Sequence, residues 1–309
     1  MLEIAIIVMP VFLVVFAGYI AARVGLVSGL QTDALMHFTV HVAAPALLFN
    51  AVTSLDLGEA MRPTLLSAYY IPIIGMLLLG AFTGRRLFGQ RPGEAVAAGF
   101  TATFANSLFL GLPIIERAYG GASHQATLAL IAVHAPICYL AGGILMESAR
   151  ADGTGALRAL KNGIGSLSKN PLVIGVVAGV AWNLLLGPLP VVLADATEML
   201  ARAALPVGMF AVGAVLTRYA LAGDFRVTAF YVTLTLVIRP MVVFGAAWLL
   251  SLEDAALKAV VMLGAMPGGL NIYIFASIYK RSEALAANVL LLSTALGILT
   301  VSAWLAILG

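Results

Sequence analysis

Apolar residues run almost unbroken along this chain, interrupted at intervals by small clusters of charge, Gly and Pro. These interruptions divide it into ten apolar runs, at residues 4–22, 34–55, 64–84, 95–115, 126–146, 170–187, 196–217, 227–250, 255–279 and 284–308. A helix that crosses hydrocarbon needs about 20 predominantly apolar residues. The pattern therefore predicts an all-α membrane protein of ten transmembrane helices, with connections too short to hold a folded soluble domain. The longest polar stretch, residues 147–169, carries Glu147, Arg150, Asp152, Arg158, Lys161 and Lys169 among Gly and Ser. It reads as a loop or surface helix joining two halves. The first run reads as a spanning helix rather than a cleavable signal: the first charge is Glu3, so there is no basic leader, and the apolar stretch is too long.

Composition narrows the function. Of 309 residues, 62% are hydrophobic and 10% charged, with a mean hydropathy of +1.05. Soluble domains carry about 25% charged residues. A soluble enzyme, a nucleic-acid binder and a disordered chain are excluded together. The lone Cys138 excludes a disulfide framework and a multi-Cys metal site, and reads as a small buried apolar residue. No H-E-x-x-H, G-x-S-x-G, phosphate-binding loop or G-x-G-x-x-G is present, so no catalytic residues, no metal and no cofactor are expected. Small-residue GxxxG pairs at Gly80/Gly84 and Gly175/Gly179 mark close helix packing.

Charge sets the expected orientation. Arg23, Arg85, Arg86, Arg91, Arg150, Arg158, Lys161, Lys169, Arg218, Arg226, Lys280 and Arg281 fall in alternate connections, 12 on one side. Arg62, Arg117 and Lys258, 3 in all, fall on the other. Positively charged loops stay cytoplasmic. The expectation is a cell (inner) membrane protein with both termini on the extracytoplasmic side. The pI near 9.1 reflects this bias rather than a nucleic-acid patch.

The two halves repeat. Pro10, Gly18, Pro45 and Phe49 recur as Pro171, Gly179, Pro206 and Phe210, all at an offset of 161. The offset advances five helices, an odd number, so the second half has the opposite orientation. The expected architecture is a 5 + 5 inverted repeat: residues 1–148, a cytoplasmic connector at 149–169, and residues 170–309. Inverted repeats of this kind bind substrate near the midplane, at broken helices. Two breaks are predicted in corresponding places. Helix 4 carries Asn106, Ser107, Gly111 and Pro113 near its centre; helix 9 carries Pro267, Gly268, Gly269 and Asn271. Pro removes a backbone donor and Gly loosens the chain. Unwound backbone at that depth must line a cavity or be buried in protein. Half-helix N-termini then offer free N–H groups to an anion. The alternative is two ordinary Pro kinks.

Arg239 lies at the midpoint of helix 8, where an Arg costs on the order of 2.5 kcal/mol or more. All 14 Asp and Glu read as lying at helix ends or in loops, so none can neutralise it at its own depth. Two readings stay open: Arg239 meets a substrate carboxylate, directly or through its field, or it caps carbonyls of the broken helices as a strut. Arg239-Pro240 is also expected to break helix 8. With no buried acid, an Asp/Glu proton relay is disfavoured, and a sodium site would need carbonyls, Asn, Ser or Thr. His41 and His134 remain as midspan titratable groups; His134 either touches substrate, carries a proton or packs through a hydrogen bond. Asn50 either lines an outer cavity or bonds a carbonyl. Tyr139 and Tyr273 read more simply as aromatic packing, with Tyr139 kept among the candidate substrate-binding residues.

With these residues in view, the chain resembles the auxin efflux carrier family along its whole length; that family includes bacterial malonate and malate carriers and the plant PIN transporters. The likeness rests on Pro-Ala-Leu-Leu-Phe at 45–49, Asn106-x-x-x-x-Gly111-Leu-Pro113, Leu-Pro-x-Gly-x-Phe at 205–210, Arg239-Pro240 and the Pro267 break. It implies a fold like that of the bile-acid/sodium symporters, with broken helices 4 and 9 crossing at their prolines. It implies a scaffold of helices 1, 2, 6 and 7, a transport domain of helices 3–5 and 8–10, a homodimer through helices 2 and 7, and elevator-type movement. Asn106 matches the family's substrate-binding asparagine. A plant pattern in helix 5 reads here as His134, Tyr139 and Glu147, with His in place of the plant Gln, which argues against auxin itself. The plant members' long cytosolic loop is missing. The expectation is an alternating-access carrier of a small organic anion, a malonate-like dicarboxylate or an auxin-like carboxylate. Alternatives are a sodium-coupled symporter of the bile-acid type and a non-transporting membrane sensor or assembly subunit.

Overall fold

A computed structural model describes residues 2–149 and 170–309. The proposed connector at 149–169, with Arg150, Arg158, Lys161 and Lys169 of the charge tally, lies outside the described residues apart from Ala149. The described residues are helical, joined by short turns: α1 (Leu2–Arg23), α2 (Gly29–Thr53), α3 (Pro63–Phe88), α4 (Pro92–Thr101), α5 (Leu112–Tyr119), α6 (His124–Ala149), α7 (Pro171–Leu185), α8 (Val191–Leu216), α9 (Phe225–Leu249), α10 (Asp254–Ala265), α11 (Asn271–Tyr279) and α12 (Glu283–Leu308). Among the described residues seven helices are long and apolar enough to cross a membrane. The predicted sixth segment is a shorter apolar helix, α7. The predicted fourth and ninth segments are each two half-length helices, α4 with α5 and α10 with α11.

Local chemistry sets the ends. Ser28 and Gln31 form a reciprocal capping box at the start of α2, and Asp224 and Asn170 cap α9 and α7 with side-chain oxygens. Asn183 on α7 donates to the carbonyls of Val52, Thr53 and Leu55, satisfying the frayed end of α2. Three prolines inside long apolar stretches are each preceded by a π-helical turn ending two residues earlier: Thr39–Ala43 before Pro45, Ser107–Gly111 before Pro113, and Leu234–Ile238 before Pro240. A π turn is one way a helix absorbs a distortion of its hydrogen-bond ladder. Helix α9 therefore runs on through Arg239-Pro240, and the expected break there does not occur. Helix α8 begins at Val191, so Asp195 and Glu198 sit within it rather than at its end.

Helix α1 packs on α8, and α2 packs on α7 and α8; α3 packs on α4 and α9, and α10 on α9. Two of the four positions repeated at an offset of 161, the glycine and the phenylalanine, meet as reciprocal pairs. A Cβ on Gly18 would lie 1.9 Å from the Phe210 carbonyl oxygen, and one on Gly179 would lie 2.9 Å from the Phe49 carbonyl oxygen. Exchanging the halves turns one contact into the other. Only glycine allows backbone to approach backbone this closely.

The half-helices that lead into the breaks are deeply buried. Every residue from Ala95 to Thr101 in α4 and from Ala259 to Ala265 in α10 is buried. Leu2, Phe16, Val192 and Leu299 by contrast turn large apolar side chains outward, as a hydrocarbon solvent requires.

Candidate functional site

The two breaks cross at the centre of the buried region. After Thr101 the chain turns at Ala102–Thr103 and stays non-helical to Asn106; after Ala265 it is non-helical from Met266 to Leu270. Met266 precedes Pro267 and takes the extended conformation that proline imposes on its predecessor, with φ −63° and ψ 144°. The Asn106 N–H donates to the Pro267 carbonyl (2.8 Å), and the Gly269 N–H donates to the Phe104 carbonyl (3.0 Å). This antiparallel bridge between Ala105 and Gly268 ties the unwound segments together. A Cβ on Gly269 would fall 3.2 Å from the Ala105 carbonyl oxygen, so a side chain there requires the facing backbone to give by a few tenths of an ångström. The Gly268 N–H is taken by Ser293 Oγ at 3.0 Å.

Helix polarity sorts the crossing into two sides. Helices α4 and α10 arrive with their C-terminal carbonyls; the Ser107 π turn leading into α5, and α11, depart with their N-termini. On the carbonyl side sits Arg239, with a relative exposure of 0%. Its Nε donates to Gly264 (2.8 Å), Nη1 to Ala102 (3.4 Å) and Nη2 to Met266, all backbone carbonyls. Ala102 belongs to the first break, and Gly264 and Met266 to the second. One planar fork with several donors thus spans both, which a lysine point charge does not do.

On the N-terminal side lies a small cleft of about 70 Å³. Asn106, Ser107, His134, Gly269 and Asn271 line it with Phe104, Leu48 and Leu172. The buried Asn106 Nδ2 has no hydrogen-bond partner among the described residues. Buried polar groups are nearly always paired, so an unpaired donor in a cleft wall is suited to an incoming acceptor. The buried hydroxyls of Ser107 and Tyr69 likewise have no hydrogen-bond partner among the described residues. Tyr139 donates its hydroxyl to Asn271 Oδ1 at 2.9 Å, which leaves the amide NH₂ of Asn271 as the free end. His134 stands against Phe104, with ring centroids 4.6 Å apart. The partly apolar wall suits a substrate with a short carbon skeleton between polar ends.

The remaining sequence candidates lie elsewhere. Gly111 packs toward Leu263 and Met266, Pro267 lies against Gly297, and Pro113 is buried in the first turn of α5. None of these three lines the cleft. Neither does Arg239, three of whose five N–H donors meet backbone carbonyls. Asn50 lines a separate cavity of about 500 Å³ with Glu116, His124, Glu198 and Arg202. His41 is exposed and stacks on His37 at 4.0 Å, away from the cleft. Tyr273 pairs with Tyr219 as an aromatic contact. Among the described residues no group of three or more His, Cys, Asp or Glu is placed to hold a metal.

A bundle of apolar helices with two broken pairs crossing at a buried polar cleft defines a membrane transporter. Residues 4–305 match the model of the family described as membrane transport protein, and the chain belongs to that family, the auxin efflux carriers. It is 26% identical to a Rhizobium meliloti (strain 1021) protein named "Putative malonate transporter", over 98% of this chain and 95% of the relative. It is 24% identical to the Escherichia coli (strain K12) "Uncharacterized transporter YfdV", over 91% and 92% of the two chains. It is also 26% identical to the Mus musculus "Lysosomal cholesterol signaling protein", covering 95% of this chain but 36% of that longer protein. The family is one of membrane transport proteins rather than enzymes.

Proposed function

We propose that this protein carries a small organic anion of the malonate class by alternating access, with the anion held in the cleft at the helix crossing. The observation that carries the reading is the unpaired, buried amide nitrogen of Asn106 beside two helix N-termini. Each N-terminus contributes about half a positive charge. Together with the amides of Asn106 and Asn271 they suit a carboxylate. The R. meliloti relative's name supports malonate as the first substrate to test.

The ten predicted segments then form a 5 + 5 inverted repeat in the inner membrane with both termini outside. The reciprocal Gly18–Phe210 and Gly179–Phe49 contacts support it. In this reading α1, α2, α7 and α8, which pack mainly on one another, are the scaffold. Helices α3–α6 and α9–α12 are the moving transport domain, and α2 and α8 join two copies.

The test is calorimetric binding and proteoliposome flux with malonate. Wild type is expected to bind and to exchange labelled malonate. Asn106→Ala is expected to weaken binding about 10- to 100-fold, the worth of a hydrogen bond to a charged group. Absence of any carboxylate flux, with Asn106→Ala indistinguishable from wild type, overturns the carrier reading in favour of a sensor or assembly subunit.

A further inference from the structure

The crossing brings together two helix C-termini as well as two N-termini, and both kinds of end need a counter-charge. Each C-terminus carries about half a negative charge on its unpaired carbonyls. The pair therefore presents about one negative charge, in a region from which water is excluded. Broken-helix carbonyls of this kind are ligands for a small cation. Here the carbonyls of Ala102, Gly264 and Met266 converge instead on one side chain, the fully buried Arg239. No acidic side chain is paired with it among the described ion pairs. Its single positive charge matches the charge of the two C-termini. The two N-termini are left with about one positive charge, which matches one carboxylate.

We propose that the Arg239 guanidinium is a tethered cation, permanently seated in a carbonyl cage, and that it removes the need for an inorganic coupling ion when the anion binds. Arg239 is then a positioning residue: it never touches the substrate, and it holds the two breaks at the spacing and net charge that the anion-binding side requires. This rests on the carrier reading above for its substrate, but the cage itself is testable without one.

Two observations separate a tethered cation from a neutral strut. Guanidinium ion and urea have the same planar shape and similar donors, and only the first is charged. In Arg239→Ala, low millimolar methylguanidinium is expected to raise the melting temperature, and urea at the same concentration is not. With malonate present, Arg239→Ala is expected to bind at least about tenfold more weakly, with affinity restored by methylguanidinium and not by urea. Arg239→Lys, which keeps the charge, is expected to bind malonate more tightly than Arg239→Met, which keeps only the length; this comparison serves if the alanine variant does not fold. Wild-type affinity is expected to be the same in sodium, potassium and choline chloride.

Equal rescue by urea, or undiminished affinity in both Arg239→Ala and Arg239→Met, would reduce Arg239 to a neutral strut and overturn the proposal. So would wild-type malonate binding that requires sodium, which leaves the carrier reading standing. If no anion binds wild type in any salt, the carrier reading fails, and the melting-temperature comparison alone decides the cage.

Discussion

Tyr139 and Asn271 form a pair in which one hydroxyl sets the direction of an amide. The phenol donates to Asn271 Oδ1, so the NH₂ end is the one left to donate. Tyr139→Phe keeps the ring against Phe100 and Phe104 and removes only that control. A neutral hydrogen bond is worth about 0.5–1.5 kcal/mol. Malonate affinity is expected to fall about 2- to 10-fold in a binding titration, with the melting temperature nearly unchanged. At this scale the cleft is half legible in the sequence. Asn106, Gly269 and Asn271 are readable because Pro and Gly mark the breaks around them. Phe104, Leu48 and Leu172 are not, since apolar residues give no contrast in a chain that is 62% hydrophobic. The depth of Arg239 is readable, and so is its lack of a carboxylate partner. Its actual acceptors are backbone carbonyls, which every residue possesses and no sequence pattern marks.

Elements obey the same division. The apolar runs locate the helices because hydrocarbon demands a continuous hydrogen-bonded backbone. Boundaries are less visible: α8 starts five residues before its predicted run, which hides the placement of Asp195 and Glu198 inside it. Prolines are ambiguous as signals. Pro45, Pro113 and Pro240 follow π turns, whereas Pro10 and Pro206 lie within uninterrupted α-helix. At Pro10 the lost N–H deprives the Ile6 carbonyl of its usual donor, and Arg117 from α5 supplies one at 2.9 Å. That partner lies more than a hundred residues away, beyond any local pattern. The glycines differ in the same way. Gly18 faces a carbonyl, while a Cβ on Gly75 meets nothing within 4 Å. Gly18→Ala is expected to destabilise by about 1–3 kcal/mol through forced separation of α1 and α8. Gly75→Ala is expected to be neutral or to stabilise by up to about 1 kcal/mol through helix propensity. Thermal unfolding in detergent distinguishes the two by sign.

For the whole molecule, the tethered cation proposed above bears on the direction of transport. A carrier that needs no inorganic ion leaves the membrane potential to act on the anion's own charge. Moving a dianion against an inside-negative potential of about 100 mV costs roughly 4–5 kcal/mol, so the favoured direction is export. In proteoliposomes, an inside-negative potassium diffusion potential is expected to accelerate malonate efflux and an inside-positive one to slow it. Insensitivity to voltage combined with sensitivity to a pH gradient would show proton symport instead. The glycine contacts bear on the molecule's history before it works at all. Gly18 meets Phe210 and Gly179 meets Phe49, so α1 finds its partner only when α8 has been made. At about 5–20 residues per second of synthesis, α1 waits on the order of 10–40 s in the bilayer without that neighbour. It has a mean hydropathy of 2.7, the highest of the seven long helices, which equips it to persist in lipid alone until the second half of the chain arrives.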